Sequence, residues 1–123
     1  MRVTDGFRAF VLEQLAGVTF VRARAMFGGV GLYADDVFFG ILAADTLYLK
    51  ADHELAPRFQ ALGLEPFQYP RRERLVALSF YQAPEEIYDD PDAAKRWASL
   101  AYEAALRASK RRVASKRGTA RRH

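Results

Sequence analysis

The sequence predicts a two-layer α+β domain, an antiparallel β-sheet packed on helices, in the order α-β-β-β-β-α-β-β-α. Both ends of the chain show the apolar spacing of amphipathic helices. Between them lie short runs of Val, Tyr, Phe, Ile and Leu, separated by brief polar breaks such as ADD and AAD. Antiparallel strands joined by tight turns, with few helices, are typical of this class. Half of the 123 residues are apolar, enough for one domain with its own core.

The first helix is predicted to begin after Thr4, whose hydroxyl can cap it, and to stop by Gly17. Its apolar face consists of Phe7, Phe10, Val11 and Leu15. The segment VTFVRARAMF then alternates with the period of a strand. This period places Phe20, Arg22 and Arg24 on one face.

Three glycines interrupt the stretch MFGGVGLY. A phosphate-binding glycine loop leads into a helix and, in the P-loop, is followed by a lysine, whereas this stretch leads into an apolar, strand-like segment. We therefore expect Gly28 and Gly29 to allow positive φ in a bend or bulge and Gly31 to leave room for a neighbouring side chain. The segments that follow, up to TLYLKA, are predicted to form a meander of antiparallel strands.

The second half of the chain is predicted to contain two more helices and two more strands. DHELAPRFQALGL is interpreted as a helix capped by Asp52, shortened or kinked by Pro57 and ended by Gly63. PFQYP and RLVALSFYQAP are predicted strands. Asp90 is expected to cap the last helix, with Pro91 at its first position. The buried face of that helix is predicted to be Ala94, Trp97, Leu100, Ala101, Ala104 and Ala108.

The positive charge is concentrated at the end of the chain. Residues 1–105 contain 11 Lys and Arg against 15 Asp and Glu, whereas residues 106–123 contain eight basic residues and no acidic ones. The sequence thus predicts a domain over residues 1–108 and a disordered basic tail over 109–123. Candidate nucleic-acid contacts in the tail are Lys110, Arg111, Arg112, Lys116, Arg117, Arg121 and Arg122. The alternative is a tail that only improves solubility.

Arg22 and Arg24 are candidate contacts for an anion or for a protein partner, since two guanidinium groups at i and i+2 can bind a phosphate or carboxylate together. The alternative is the ordinary polar face of a half-buried strand. His53 and His123 have no Ser or Cys partner nearby in the sequence, so no catalytic residue is predicted. The chain contains no cysteine, which excludes disulfides and thiolate-bound zinc. We expect no enzyme activity, no cofactor and no metal.

Two other groups of residues allow more than one interpretation. Acidic residues cluster before the last helix at Glu85, Glu86, Asp89, Asp90 and Asp92. A divalent cation site is one interpretation, but the glycine-hinged loop with a distal bidentate Glu is missing, so a solvated surface or a docking site for a basic partner is favoured.

Aromatic residues that could stack on single-stranded nucleic acid are interpreted as core: Phe38, Phe39, Phe67, Phe80 and Tyr81.

The sequence contains no run of about 18 consecutive apolar residues. Its N-terminus is interrupted by acidic and polar residues and is interpreted as a helix rather than a signal peptide. We therefore expect no membrane association and a cytoplasmic location.

Two segments together resemble the N-terminal domain of the TfoX (Sxy) family of bacterial competence regulators. They are RAMFGGVGLYADDVFFGILAADTLYLKAD and LGLEPFQYPRRERLVALSFYQAPEEIYDDPDAAKRWASLAYEAA. The resemblance extends from about the first predicted helix to the last. Family-motif residues expected to have structural roles are Met26, Phe27, Gly28, Gly29, Gly31, Tyr33 and Trp97.

The resemblance implies a two-layer antiparallel α+β fold and a role other than catalysis. Full-length members act with a cyclic-AMP-responsive transcription activator to switch on DNA-uptake genes, and they carry a second, helical domain. This chain is expected to be a single-domain form that acts as a regulatory interaction module with a transcription-factor-type protein partner. The alternatives are a nucleic-acid accessory protein that binds DNA through the basic tail and a small-molecule-binding domain.

Overall fold

The structure, a computed structural model, describes residues 2–17, 20–26, 28–71 and 74–121, with side chains up to residue 110 apart from 69–71 and 74–77. These ranges contain four helices and six strands. In chain order they are α1 (Asp5–Gln14), β1 (Val21–Met26), β2 (Gly29–Ala34), β3 (Val37–Ala43), β4 (Thr46–Lys50), α2 (Ala56–Ala61), β5 (Pro66–Arg71), β6 (Arg74–Gln82), α3 (Glu86–Asp89) and α4 (Pro91–Arg121). The α+β class and the predicted order are confirmed, with the short helix α3 as an addition.

The six strands form one antiparallel sheet in the order β1-β2-β3-β4-β6-β5. The first four strands are a meander, as predicted. Its second and third hairpins turn through Asp35–Asp36 and Ala44–Asp45, and all four residues have positive φ. Two consecutive residues in this conformation match the right-handed twist of the flanking strands.

Helix α1 largely follows the prediction. The Thr4 hydroxyl accepts a hydrogen bond from the Phe7 amide at 3.2 Å, and Val11 and Leu15 are buried. Phe10 differs from the prediction, because it is 40% exposed. Its ring instead stacks on Tyr88 of α3 at the rim of the helix layer.

Helix α2 begins later than the sequence predicts. Asp52 does not cap it; the residue before the helix is Leu55, which makes no side-chain cap hydrogen bond. The carboxylate of Asp52 accepts instead from the Leu55 amide at 3.0 Å and so closes the preceding turn. Pro57 lies in the first turn of the short helix, where a missing N–H costs nothing. Gly63, at φ +73°, follows the helix end as predicted.

Helix α4 begins as predicted, with Pro91 first and the Asp90 carboxylate accepting from the Asp92 amide at 2.9 Å. Asp90 also ends α3, a helix of four residues that is too short to produce a periodic apolar pattern.

Helix α4 continues to Arg121, whereas the sequence predicts a disordered tail from residue 109 onward. Ala, Lys and Arg favour helix, and cations near a helix C-terminus are stabilised by its dipole. The division into a domain over 1–108 and a tail stays a prediction.

The sheet has apolar residues on both faces. One face packs against the helices and contains Leu32, Phe39 and Leu49 among the buried residues. The other contains a smaller buried cluster of Ile41, Ala43, Phe67 and Phe80. A β-bulge in β3 leaves Phe39 as an extra residue, since Leu32 pairs with Gly40 and Tyr33 with Phe38. The bulge shifts the alternation of β3, so Phe39 belongs to the cluster on the helix side although Ile41 and Ala43 belong to the other.

Within the described ranges, none of the helices combines the length and the apolar character needed to cross a membrane.

Candidate functional site

Strand β1 is one of the two edges of the sheet. Along all six of its residues it pairs with β2 alone. The opposite edge, β5, contains Pro66 and Pro70, which lack the N–H that a further strand would need. Strand β1 contains no proline or glycine. Of the two edges seen in the described ranges, β1 therefore offers the more complete set of backbone donors.

Arg22 and Arg24 are both exposed and lie on the same face of β1, as the alternation predicts. Arg22 lies opposite Tyr33 on β2 and forms an ion pair with Asp36 in the β2–β3 turn. Arg24 lies opposite Gly31, and no hydrogen bond or ion pair joins its side chain to another described residue. Both arginines line an open recess of about 400 Å³.

The recess combines two guanidinium groups with one carboxylate, so its net charge is positive. The side chains of Arg22 and Asp36 are 59% and 85% exposed, and exposed ion pairs of this kind contribute about 1 kcal/mol or less. Arg22 can therefore exchange Asp36 for an incoming carboxylate or phosphate at little cost. The role of Arg22 and Arg24 in binding an anion or a partner stays a prediction.

The glycines of MFGGVGLY shape the sheet. Gly28 has φ +77° in the turn before β2, and a Cβ added at Gly29 would lie 2.4 Å from the backbone oxygen of Leu42. The side chain of Met26 lies over Gly31, where an added Cβ would approach its Cε to 2.8 Å. The stretch continues into a strand rather than a helix, unlike a phosphate-binding loop. The expected positive φ occurs at Gly28 but not at Gly29, where the prediction was wrong, because Gly29 already belongs to β2 and lies close to the backbone of β3. Phe27 lies outside the described residues.

The aromatic residues named as core candidates are confirmed in that role. Phe39, Phe67 and Phe80 are buried, and Phe38 and Tyr81 are half-buried. Tyr33, from the family motif, stacks on Phe38 with ring centroids 5.2 Å apart.

Trp97 joins α2, α3 and α4. It is buried, and its indole N–H donates to Glu86 Oε1 at 2.8 Å. The guanidinium of Arg58 lies 5.1 Å from the indole centroid, and the Phe59 ring centroid lies at the same distance. Trp97 therefore lies on the buried face of α4, as the sequence predicts, and its contacts with Glu86, Arg58 and Phe59 join α4 to the two shorter helices.

The remaining residues of the acidic group, Glu85, Asp89, Asp90 and Asp92, are exposed. Asp90 caps α4. No group of three His, Cys, Asp or Glu side chains able to hold a metal ion occurs in the part of the chain that the structure describes. The docking role of this acidic surface stays a prediction.

A polar cluster that sequence reasoning missed links α4 to the loop after β4. Asp52 is buried, and its carboxylate accepts from Arg107 Nε at 2.7 Å and Nη2 at 3.0 Å. Glu54 Oε2 also lies 2.7 Å from Arg107 Nε. The hydrogen bond to Asp52 raises the pKa of Arg107 above its usual value; partial burial opposes this, and the neighbouring carboxylates add to it. The two residues are 55 positions apart, so no local pattern could have revealed the pair.

The basic segment and the histidines are described only in part. Lys110 is exposed, and the other candidate residues up to Arg121 belong to α4. Arg122 and His123 lie outside the described residues. His53 is exposed in the turn before α2.

Comparison with known proteins gives a family and a relative. The TfoX N-terminal domain family matches residues 13–105, which include the whole sheet and the first half of α4. The DNA transformation protein TfoX1 of Aliivibrio fischeri is 31% identical over 68 residues, which are 55% of this chain and 32% of the relative. The match thus spans about a third of that relative's length. Because the family matches well over half of the sequence, this chain belongs to the TfoX N-terminal domain family.

Proposed function

We propose that the chain is a non-enzymatic regulatory module that promotes DNA uptake by binding a protein partner of transcription-factor type. The family match over residues 13–105 carries this proposal. The likeness to a relative named as a DNA transformation protein supports the biological process. A cytoplasmic location is part of the proposal, because a transcription factor acts there.

The use of polar side chains supports binding rather than catalysis. The buried or half-buried polar groups at Asp52, Trp97 and Tyr88 each serve to join two elements of the fold. Exposed polar groups with capacity for a partner lie at the β1 edge, chiefly Arg22 and Arg24. These are surface positions suited to contact with another macromolecule.

The proposal is tested by deleting the coding sequence in the native host. We expect lower transformation frequency and lower transcript levels of DNA-uptake genes, both restored by the full chain. Unchanged transformation and unchanged transcripts in the deletion strain would contradict the proposal.

A second candidate function is DNA binding through the C-terminal part of α4. The supporting observation is that eight basic and no acidic residues occupy positions 106–123, while the helix continues to Arg121. An α-helix fits the major groove of duplex DNA, and its basic side chains can displace the counterions of the phosphates.

This second candidate is tested with the full chain and a variant carrying Lys110→Gln, Arg111→Gln, Arg112→Gln, Lys116→Gln and Arg117→Gln. We expect the original chain to retain duplex DNA with a steep dependence on salt, and the variant to lose both properties. Equal retention by the two proteins would reject the DNA-binding role.

A further inference from the structure

We propose that β1 is the docking edge for the partner and that the occupant is an extended acidic segment, which adds one more strand to the sheet. This inference rests on the proposed function, since it names the chemistry of the protein partner. It uses the edge position of β1, its charge and the burial pattern of its two faces.

The backbone of β1 is available for pairing. In an antiparallel pair, every second residue directs its N–H and C=O away from the neighbouring strand. No backbone hydrogen bond within the described ranges fills that outer side of β1. The six residues from Val21 to Met26 contain neither proline nor glycine. The proline-containing edge at β5 is a poorer acceptor of a further strand.

The charge of β1 selects the occupant. A strand paired with β1 would place its own side chains beside Arg22 and Arg24, where opposite charges are favourable and like charges are not. Asp or Glu at alternate positions would form charge-assisted hydrogen bonds with the two guanidinium groups. A second copy of β1 in antiparallel pairing would bring arginines next to arginines. The same rule excludes a basic strand.

The burial pattern specifies the intervening residues of the partner. Val21 and Ala23 are half-buried and pack against the main core, so they lie on the helix side of the sheet. Apolar residues on that side of an added strand would extend this core. Phe20, the residue before β1, is 79% exposed. The partner segment is therefore predicted to alternate acidic and apolar residues over about six positions, the length of β1.

The inference is tested with synthetic eight-residue peptides and the full chain. One peptide alternates Glu and Val, a second replaces every Glu with Lys, and a third is the Glu/Val peptide methylated on its backbone nitrogens. We expect saturable binding of the first peptide alone, measured by fluorescence anisotropy. Hydrogen exchange should show new protection at alternate amides within residues 21–26, those that point away from β2.

The decisive variant is Arg24→Glu, with Arg8→Glu as the matched control. Both residues are exposed, and Arg8 lies in α1, which packs mainly against α3 and α4. Because attraction is replaced by repulsion, Arg24→Glu should weaken binding of the Glu/Val peptide by about tenfold. It should also allow the Lys/Val peptide to bind, whereas Arg8→Glu should change neither. Circular dichroism spectra of both variants should match that of the original chain, which checks that both variants fold.

Three results would overturn the docking edge: equal binding of the methylated peptide, no change with Arg24→Glu, or protection elsewhere than at β1. A dimer in solution that forms through β1 would overturn it as well, because the occupant would be a second copy. Full complementation of the deletion strain by Arg24→Glu would reject the docking edge and leave the regulatory role standing. An unaffected deletion strain would reject the regulatory role itself, whatever the peptides do.

Discussion

At the scale of single residues, the glycines of β2 can be ranked by what surrounds them. A Cβ at Gly29 meets the backbone of Leu42, which cannot move without disturbing β3. A Cβ at Gly31 meets the flexible end of Met26 first. We therefore predict that Gly29→Ala lowers the free energy of unfolding by about 2–3 kcal/mol and Gly31→Ala by about 1 kcal/mol or less, measured in urea.

Gly6→Ala is the matched control for this pair. Gly6 lies in α1, and nothing approaches within 4 Å of an added Cβ. Alanine favours the helix, so Gly6→Ala should raise the free energy of unfolding by a few tenths to about 1 kcal/mol. A Gly29→Ala protein as stable as the Gly6→Ala protein would show that β2 and β3 are not in close contact there.

The pair of Asp52 and Arg107 supports a second prediction at this scale. Arg107→Met would remove a cationic neighbour of the buried Asp52 carboxylate and two of the hydrogen bonds that it accepts. We expect a loss of about 2–3 kcal/mol in the free energy of unfolding.

Glu54→Gln is the control, because the Glu54 side chain is 64% exposed and exposed ion pairs contribute about 1 kcal/mol or less. Chemical denaturation of both variants measures the difference. Equal effects would mean that burial of Asp52 does not matter to stability.

At the scale of elements, the β3–β4 turn carries a residue poorly suited to its backbone. Ala44 has φ +50°, a conformation that favours glycine over alanine. We predict that Ala44→Gly raises the free energy of unfolding by about 0.5–1 kcal/mol, measured by thermal and urea unfolding.

The same substitution at Ala9, an exposed position inside α1, should lower the free energy of unfolding by about 1 kcal/mol. Opposite signs from one chemical change would identify the turn conformation as the cause. A destabilised Ala44→Gly protein would argue against positive φ at this turn.

The elements that could be predicted are those with a local cause. The meander follows from alternating apolar runs with two-residue turns, and Thr4, Asp90 and Gly63 mark helix ends through their own side chains or backbone freedom. The start of α2 was predicted too early because Asp52 accepts its hydrogen bonds within the preceding turn. Its carboxylate is engaged by Arg107, a contact that no propensity encodes.

At the scale of the whole molecule, half-buried tyrosines make stability depend on alkaline pH. Burial raises the pKa of Tyr88 above its usual value; the hydrogen bond from the Leu47 amide lowers it, and nearby groups raise it. Burial, with a contribution from Glu65, also raises the pKa of Tyr48. The unfolded chain therefore loses these protons first, and the free energy of unfolding should fall as the pH rises above about 10.

Tyr88→Phe tests this expectation. The variant should be less stable near neutral pH, because the Leu47 amide loses its acceptor, but its stability should decline less between pH 9.5 and about 11. Unfolding in urea across this range measures both effects. Parallel pH profiles for the two proteins would exclude Tyr88 as a source of the dependence.

The sequence by itself determined the α+β class, the strand meander, the arginine face of β1 and the structural role of the MFGGVGLY glycines, because each depends on residues a few positions apart. Only the tertiary structure decided that β1 is a sheet edge, that Arg22 meets Asp36 and that Asp52 is buried against Arg107. These features depend on the order of strands in the sheet and on contacts between distant segments. Side-chain periodicity specifies which face a residue occupies, but not which neighbour that face will have.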